Sequence, residues 1–186
     1  CRKLEIPFLV THLGSHLGSG KQRGFERIVN AVDEAYKSVG RGVLLLLENT
    51  ARTRNSMGGR FEDIQNIIKG LAQPEAVGVC FDTAHGFASG YDLRSVKAVE
   101  DTLRMFDAVI GLRKLKLVHL NDSVGGLGSR VDRHQHIGLG KIGEKGFRAI
   151  LHSRFRELPL ILETPWEGDR SDIDNLRKVK ELAGEL

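Results

Sequence analysis

GVLLLLEN, residues 42–49, is a run of apolar residues closed by a carboxylate and an amide. It shows no apolar/polar alternation, so a strand built from it is covered on both faces, as parallel strands in α/β proteins are. Four further stretches read the same way: IPFLVTH (6–12), AVGVCFD (76–82), LKLVHLND (115–122) and LPLILET (158–164). Helical spacing fills the gaps between them. FERIVNAVDEAYKSV sets Phe25, Ile28, Val29, Val32, Ala35, Tyr36 and Val39 along one stripe. FEDIQNIIKGLA, SVKAVEDTLRMFDAVIG, GEKGFRAILHSRF and DIDNLRKVKELAG follow the same rule, and Asp172 and Asp174 favour the start of the last. The order is β-α, five times over, which builds either a doubly wound sheet or a (β/α) barrel.

The 186 residues suit one compact domain spanning 1–186, and 40% apolar with 28% charged residues describes a soluble globular chain. No apolar run approaches the roughly 20 residues that span a bilayer, and no signal-peptide pattern opens the chain. It begins with Cys1 rather than Met, as a piece of something longer would. Cys1 and Cys80 make no disulfide framework, Cys80 reads as a small buried hydrophobe, and a reducing intracellular compartment is expected. The net charge of +4 permits an anionic partner.

Each of the five runs ends in a side chain able to bind a metal. These are His12, Glu48, Asp82 with His85 just beyond, His119 and Glu163. In a barrel the carboxyl ends of all strands converge on one face, where active sites are built. The connection DSVGGLGSRVDRHQHIGLGKIG (122–143) adds a pair, Asp132 and His134, which point the same way in an extended segment. With His85 they make a three-ligand set that leaves a position open for water or substrate. Imidazole mixed with carboxylate, and no Cys, suits zinc, manganese or iron better than magnesium or calcium. Either Glu48 or Glu163 can bridge two ions through its two oxygens. The four carboxylates Glu48, Asp82, Asp132 and Glu163 argue for several ions. One divalent ion leaves about two negative charges uncompensated in a dry site, whereas three leave about +2, a charge that attracts a phosphodiester.

HLGSHLGSG, LLLENTA, GVCFDTAHGFASGYDL, VHLND, GSRVDRHQHIGLGKIG and LILETP, in this order along almost the whole chain, resemble endonuclease IV. This is the class II apurinic/apyrimidinic endonuclease family of base-excision repair. The resemblance implies a (β/α)8 TIM barrel with three zinc ions at its carboxyl face; manganese is the alternative metal. It implies that His12 and Glu48 hold a first ion and that Glu48 bridges to a second completed by Asp82, His119 and Glu163. His85, Asp132 and His134 would hold the third. Glu48, Asp82 and Glu163 are the expected catalytic carboxylates. The implied reaction is hydrolysis of the phosphodiester 5′ to an abasic site, leaving a 3′-hydroxyl and a 5′-deoxyribose phosphate. The implied partner is double-stranded DNA with abasic sites, with no membrane and no protein partner. The implied location is intracellular, in the nucleus or mitochondrion of a eukaryote or the cytoplasm of a bacterium.

Five strands rather than eight correspond to a partial barrel of about five βα units, with the N-terminal units missing. On that reading the first ion lacks a further histidine, so the isolated chain should retain zinc weakly there and be poorly stable or self-associate. Gly125, Gly126 and Gly128 are expected to let the 122–143 loop lie close to a nucleic-acid backbone. Arg130, Arg133, Arg52 and Arg54, with Arg60, are the expected phosphate contacts. Asn49 and Asn121 are expected to orient the ligands beside them. His136 reads as supporting the site or touching phosphate, His16 as no ligand, His152 as surface, and Trp166 as packing beneath the site in preference to lying near DNA. The rival readings are a sugar isomerase or epimerase of the xylose-isomerase-like barrels and an inactive DNA-binding fragment. The VDRH segment favours the nuclease, because it supplies the third ion.

Overall fold

The computed structural model describes residues 1–40, 42–168 and 170–185. Five parallel strands form one sheet, in the order β1 (Phe8–His12), β2 (Leu44–Glu48), β3 (Val77–Asp82), β4 (Leu115–His119) and β7 (Leu160–Ile161). Spatial order follows chain order, as successive βα units of a barrel require. The connecting helices are α1 (Lys21–Val39), α2 (Phe61–Gly70), α4 (Val96–Val109), α5 (Gly143–Leu151) and α6 (Asp172–Ala183). Two strands sit at the edges of the sheet, where Leu9 of β1 and Ile161 of β7 are about half exposed.

The pleat sorts each strand into two faces. Leu47, Val79, Phe81 and Val118 face the helices and join the main core with Ile64, Ile67, Phe106, Phe147 and Ile150. Phe81 stacks on Phe155 with centroids 5.2 Å apart, and Phe61 on Tyr91 at 3.9 Å. Such pairs add about 0.5–1.5 kcal/mol each beyond the area they bury. Leu46, Cys80 and Leu117 face the other way, packing with Phe8, Val10 and Leu44 in a smaller cluster. The residues two positions beyond Val10, Leu46, Cys80 and Leu117 are His12, Glu48, Asp82 and His119. Period-two geometry alone therefore puts these four side chains on one face at one end of the sheet.

The fifth strand is shorter than the apolar run 158–164: only Leu160 and Ile161 pair, opposite Val118 and His119. Pro159 has no N–H to give, and β7 lies at the edge of the sheet, so its apolar character exceeds its pairing. The run 115–122 leaves the sheet after His119. Its last residue instead starts a two-residue strand, β5 (Asp122–Ser123), antiparallel to β6 (His134–Gln135). A short helix, α3 (Thr83–Ser89), follows β3 directly and starts where the Asp82 carboxylate accepts the His85 N–H at 2.7 Å. The helix expected over 143–155 ends at Leu151 and gives way to a 3-10 turn at Arg154–Glu157. Ser171 and Asp174 form a capping box at the start of α6.

Candidate metal centre

Glu48 stands at the middle of the strand-end cluster, 2% exposed. Its Oε2 lies 3.1 Å from His12 Nε2, while Oε1 lies 2.9 Å from His119 Nδ1 and 3.4 Å from His85 Nδ1. His119 Nδ1 also meets Glu163 Oε2 at 3.0 Å. Asp82 is fully buried, and its Oδ2 lies 3.5 Å from His134 Nε2. His134 Nε2 in turn faces His85 Nε2 at 3.3 Å, and His85 Nε2 meets Asp132 Oδ1 at 3.0 Å.

Three overlapping groups of donor atoms result: His12, Glu48 and His85; Glu48, Asp82, His119 and Glu163; Asp82, His85 and His134. Glu48, Asp82 and His85 each belong to two of them. His85 thus joins His12 and Glu48, where only those two were expected. Asp132 reaches the third group through His85 and lies outside its tight cluster.

The donor chemistry fits divalent metal. Among the described residues, these carboxylates find their ion partners in imidazoles, with no Arg or Lys paired to them. A buried carboxylate cluster served only by histidines needs added positive charge. Two nitrogens about 2.0–2.1 Å from one tetrahedral zinc lie roughly 3.3 Å apart. The His85–His134 separation of 3.3 Å has that value.

Electrostatics agree. Burial pulls the His85 imidazole towards its neutral form, but Asp82, Asp132 and Glu48 outweigh it and push the pKa up to about 11. His119 is pushed up to about 12, with Cys80, Glu163 and Glu48 overcoming burial. Burial pushes Glu48 up, and hydrogen bonds from His119, His12 and His85 reverse that, holding it far below the usual carboxylate range. Hydrogen bonds from His85 and His119 likewise lower Asp132 and Glu163, respectively. The protein field calls for cations where these side chains meet.

A layer of amides and backbone donors holds the ligands. Asn49 pairs with the Asp82 backbone in both directions, at 3.0 and 2.8 Å. Asn121 donates Nδ2 to Asp82 Oδ2 at 2.7 Å and accepts the Glu163 N–H at 2.8 Å. Two supporting residues escaped sequence reasoning. Asp122, fully buried, accepts backbone N–H bonds from Ser123, Gly138, Gly140, Ile142 and Gly143 at 2.8–3.3 Å. Burial pushes its carboxyl up, and the amides of Ser123, Gly140, Ile142 and Gly143 pull against it. A Cβ on Gly140 would stand 2.4 Å from Asp122 Oδ1, so glycine is needed for the close approach. Asn175, also fully buried, accepts the Ile137 N–H and donates to His136 Nδ1 and Thr164 Oγ1. It ties α6 to both ligand-bearing segments.

Several expectations need correction. Of the two readings of His136 the structure favours support: it is buried between Asn175 and the Glu167 carbonyl as an internal strut. Gly125 is buried against Ser129 and Val131 in its own loop, which removes it from a nucleic-acid surface. Trp166 does not pack beneath the site: it is 99% exposed, two residues after the buried Thr164. Of the four arginines, Arg133 lines the cavity over the cluster, together with His12, Asp132 and His134. Arg130 and Arg54 are exposed and Arg52 half-buried, outside that lining. His152 is exposed and bonds back to the Arg148 carbonyl, while His16 Nδ1 accepts the Gly18 N–H.

Residues 1–184 match the sequence pattern of the xylose isomerase-like TIM barrel family. The chain belongs to this family. Within it the chain groups with endonuclease IV. It is 53% identical over 186 residues to "Probable endonuclease 4" of Methanoculleus marisnigri and 48% identical over 184 residues to that of Nitrosopumilus maritimus. These alignments cover 99% and 98% of the chain, and the chain spans 66% of the length of each relative. The crystal structure of endonuclease IV from Thermus thermophilus superposes with a TM-score of 0.81 at 35% identity. That match covers 98% of the chain and 64% of the Thermus chain. A D-tagatose 3-epimerase-like protein shares the fold at a TM-score of 0.65 and 16% identity. No helix among the described residues is long and apolar enough to cross a membrane.

Proposed function

We propose that the chain carries the catalytic face of a zinc-dependent apurinic/apyrimidinic endonuclease of base-excision DNA repair. It would hydrolyse the phosphodiester 5′ to an abasic site, leaving a 3′-hydroxyl and a 5′-deoxyribose phosphate. The observation that carries this reading is the run of three donor groups joined through Glu48, Asp82 and His85. Its endonuclease IV relatives support it.

Zinc, when bound, supplies concentrated positive charge and Lewis acidity for a phosphoryl transition state. The residues that would hold it are His12, Glu48, Asp82, His85, His119, Asp132, His134 and Glu163. Glu48 turns one oxygen to His12 and the other to His119, so its two oxygens serve neighbouring positions. Glu48, Asp82 and Glu163 are the catalytic carboxylates in this reading. Asn121 Nδ2 keeps the Asp82 carboxylate from rotating away, and three imidazoles hold Glu48. Arg133, on the cavity wall, would meet a phosphate oxygen and set the strand over the centre. Arg130, Arg52 and Arg54 would add phosphate contacts further out. Manganese suits the same donors less well than zinc does, because four imidazoles are a borderline-soft set.

The test is metal content and nicking on one preparation. The expected result is bound zinc, and cleavage 5′ to a single abasic analogue in duplex DNA that stops on chelation and returns with zinc. Turnover of a free ketose without nicking would replace this reading with a sugar epimerase. Salt-dependent DNA binding without cleavage in added zinc would leave a binding fragment.

A further inference from the structure

We propose that the indole of Trp166 is a stacking platform for a nucleobase of the DNA strand held over the metal centre. The proposal rests on the nuclease reading and adds a binding residue to it. Trp166 is 99% exposed, yet it lines the same cavity, about 710 Å³, as Arg133, Asp132, His134 and Glu163.

The backbone around it is held. Thr164, two residues before, is buried, and its hydroxyl accepts from Asn175 Nδ2 at 3.2 Å. Pro165 restricts the backbone between them. The Glu167 carbonyl, one residue after, lies 3.3 Å from Nε2 of the buried His136. The unpacked ring therefore stands on an anchored turn.

The cavity then offers three distinct surfaces. Its lining brings together histidine and carboxylate donors, the Arg133 cation, and the flat apolar face of the indole. A nucleotide has a matching set: phosphate for the metal and the arginine, and a planar base for the ring. Base–aromatic stacking tolerates any base, so this contact would strengthen binding without reading sequence.

The chain has a single tryptophan, so its emission reports this residue alone. The experiment uses zinc-loaded protein and a duplex with one abasic analogue and a non-hydrolysable linkage on its 5′ side. Binding is followed by anisotropy of labelled DNA and stacking by tryptophan emission. The expected result is quenching that saturates with binding, a loss of affinity on the order of tenfold for Trp166→Ala, and retention within about twofold for Trp166→Phe. Unchanged emission at saturation, or unchanged affinity in Trp166→Ala, would overturn the stacking role. Quenching by a free ketohexose but not by the duplex would overturn it as well. Nicking by the unsubstituted protein is scored separately: if it nicks while Trp166 proves silent, the nuclease reading stands and only this inference falls. If it neither binds nor nicks, both fall.

Discussion

Asn121 donates its side-chain amide to Asp82 Oδ2 at 2.7 Å, and neither side chain has any solvent exposure. The bond fixes the rotation of a carboxylate that no solvent can reorient. Because Asn121 Oδ1 also takes the Glu163 N–H, one amide aligns a ligand at the end of β3 with one in the segment after β7. Asn121→Ala is expected to weaken zinc binding about 10- to 100-fold, the usual cost of losing such a partner. Chelator competition measures this, with the circular dichroism spectrum as a check on folding. Unaltered zinc affinity in a folded variant would refute the orienting role.

Asp122 anchors the loop from Gly138 to Gly143 by accepting four of its backbone N–H bonds, and takes a fifth from Ser123. Each buried N–H left without an acceptor costs about 1–3 kcal/mol. Two of these bonds are buried, so Asp122→Ala is expected to destabilise by at least about 2 kcal/mol. Asp122→Asn, which keeps one oxygen acceptor, should cost less. Urea midpoints at constant slope give both values, and equal midpoints for Asp122→Ala and the unsubstituted chain would exclude the anchor.

These two residues show where sequence reasoning reached and where it stopped. The strands were readable because burial on both faces leaves continuous apolar runs, and period two then assigns His12, Glu48, Asp82 and His119 to one face. β7 was overestimated because an apolar run records burial, whereas pairing depends on a neighbour. α3 was missed because TAHGFAS is buried almost throughout and has no amphipathic stripe; its start depends on the Asp82 carboxylate. Asn175 looked like a polar residue on an amphipathic helix, and its burial arises from Ile137, His136 and Thr164, 11 to 39 positions away. Trp166 departs from the rule that tryptophan packs: it stands 99% exposed on the segment that follows β7.

Cys80 sits between Leu46 and Leu117, and burial pushes its thiol up to about 11. Cys1 is exposed. At pH 8 a disulfide reagent is expected to label one thiol per native chain and two in denaturant, because the thiolate is the reactive form. Two fast-reacting thiols in the native protein would show that the smaller face of the sheet is open.

Metal should also stabilise the fold. Glu48 and Asp82 are buried with imidazoles as their ion partners, so removing zinc leaves their charge poorly compensated. A ligand at about 1,000 times its Kd adds roughly 4 kcal/mol of stability. Chelation is expected to lower the melting temperature and zinc to restore it. Glu48→Ala should remove most of the difference, since Glu48 belongs to two donor groups. A melting temperature indifferent to chelator would mean that these side chains hold no metal.

Arg133 and Arg54 separate phosphate contact from general surface charge. Arg133 lines the cavity over the ligand cluster, whereas Arg54 is exposed on the loop after β2. Each phosphate neutralised in duplex DNA contributes about −0.9 to the slope of log K against log salt. Arg133→Ala is therefore expected to reduce that slope by about one unit and to weaken abasic and intact duplexes alike. Arg54→Ala should change the slope less, because its side chain stands away from the centre that fixes the register of the strand. DNA affinity measured at several salt concentrations distinguishes the two. A slope for Arg133→Ala equal to that of the unsubstituted chain would show that the cavity arginine sets no phosphate in place.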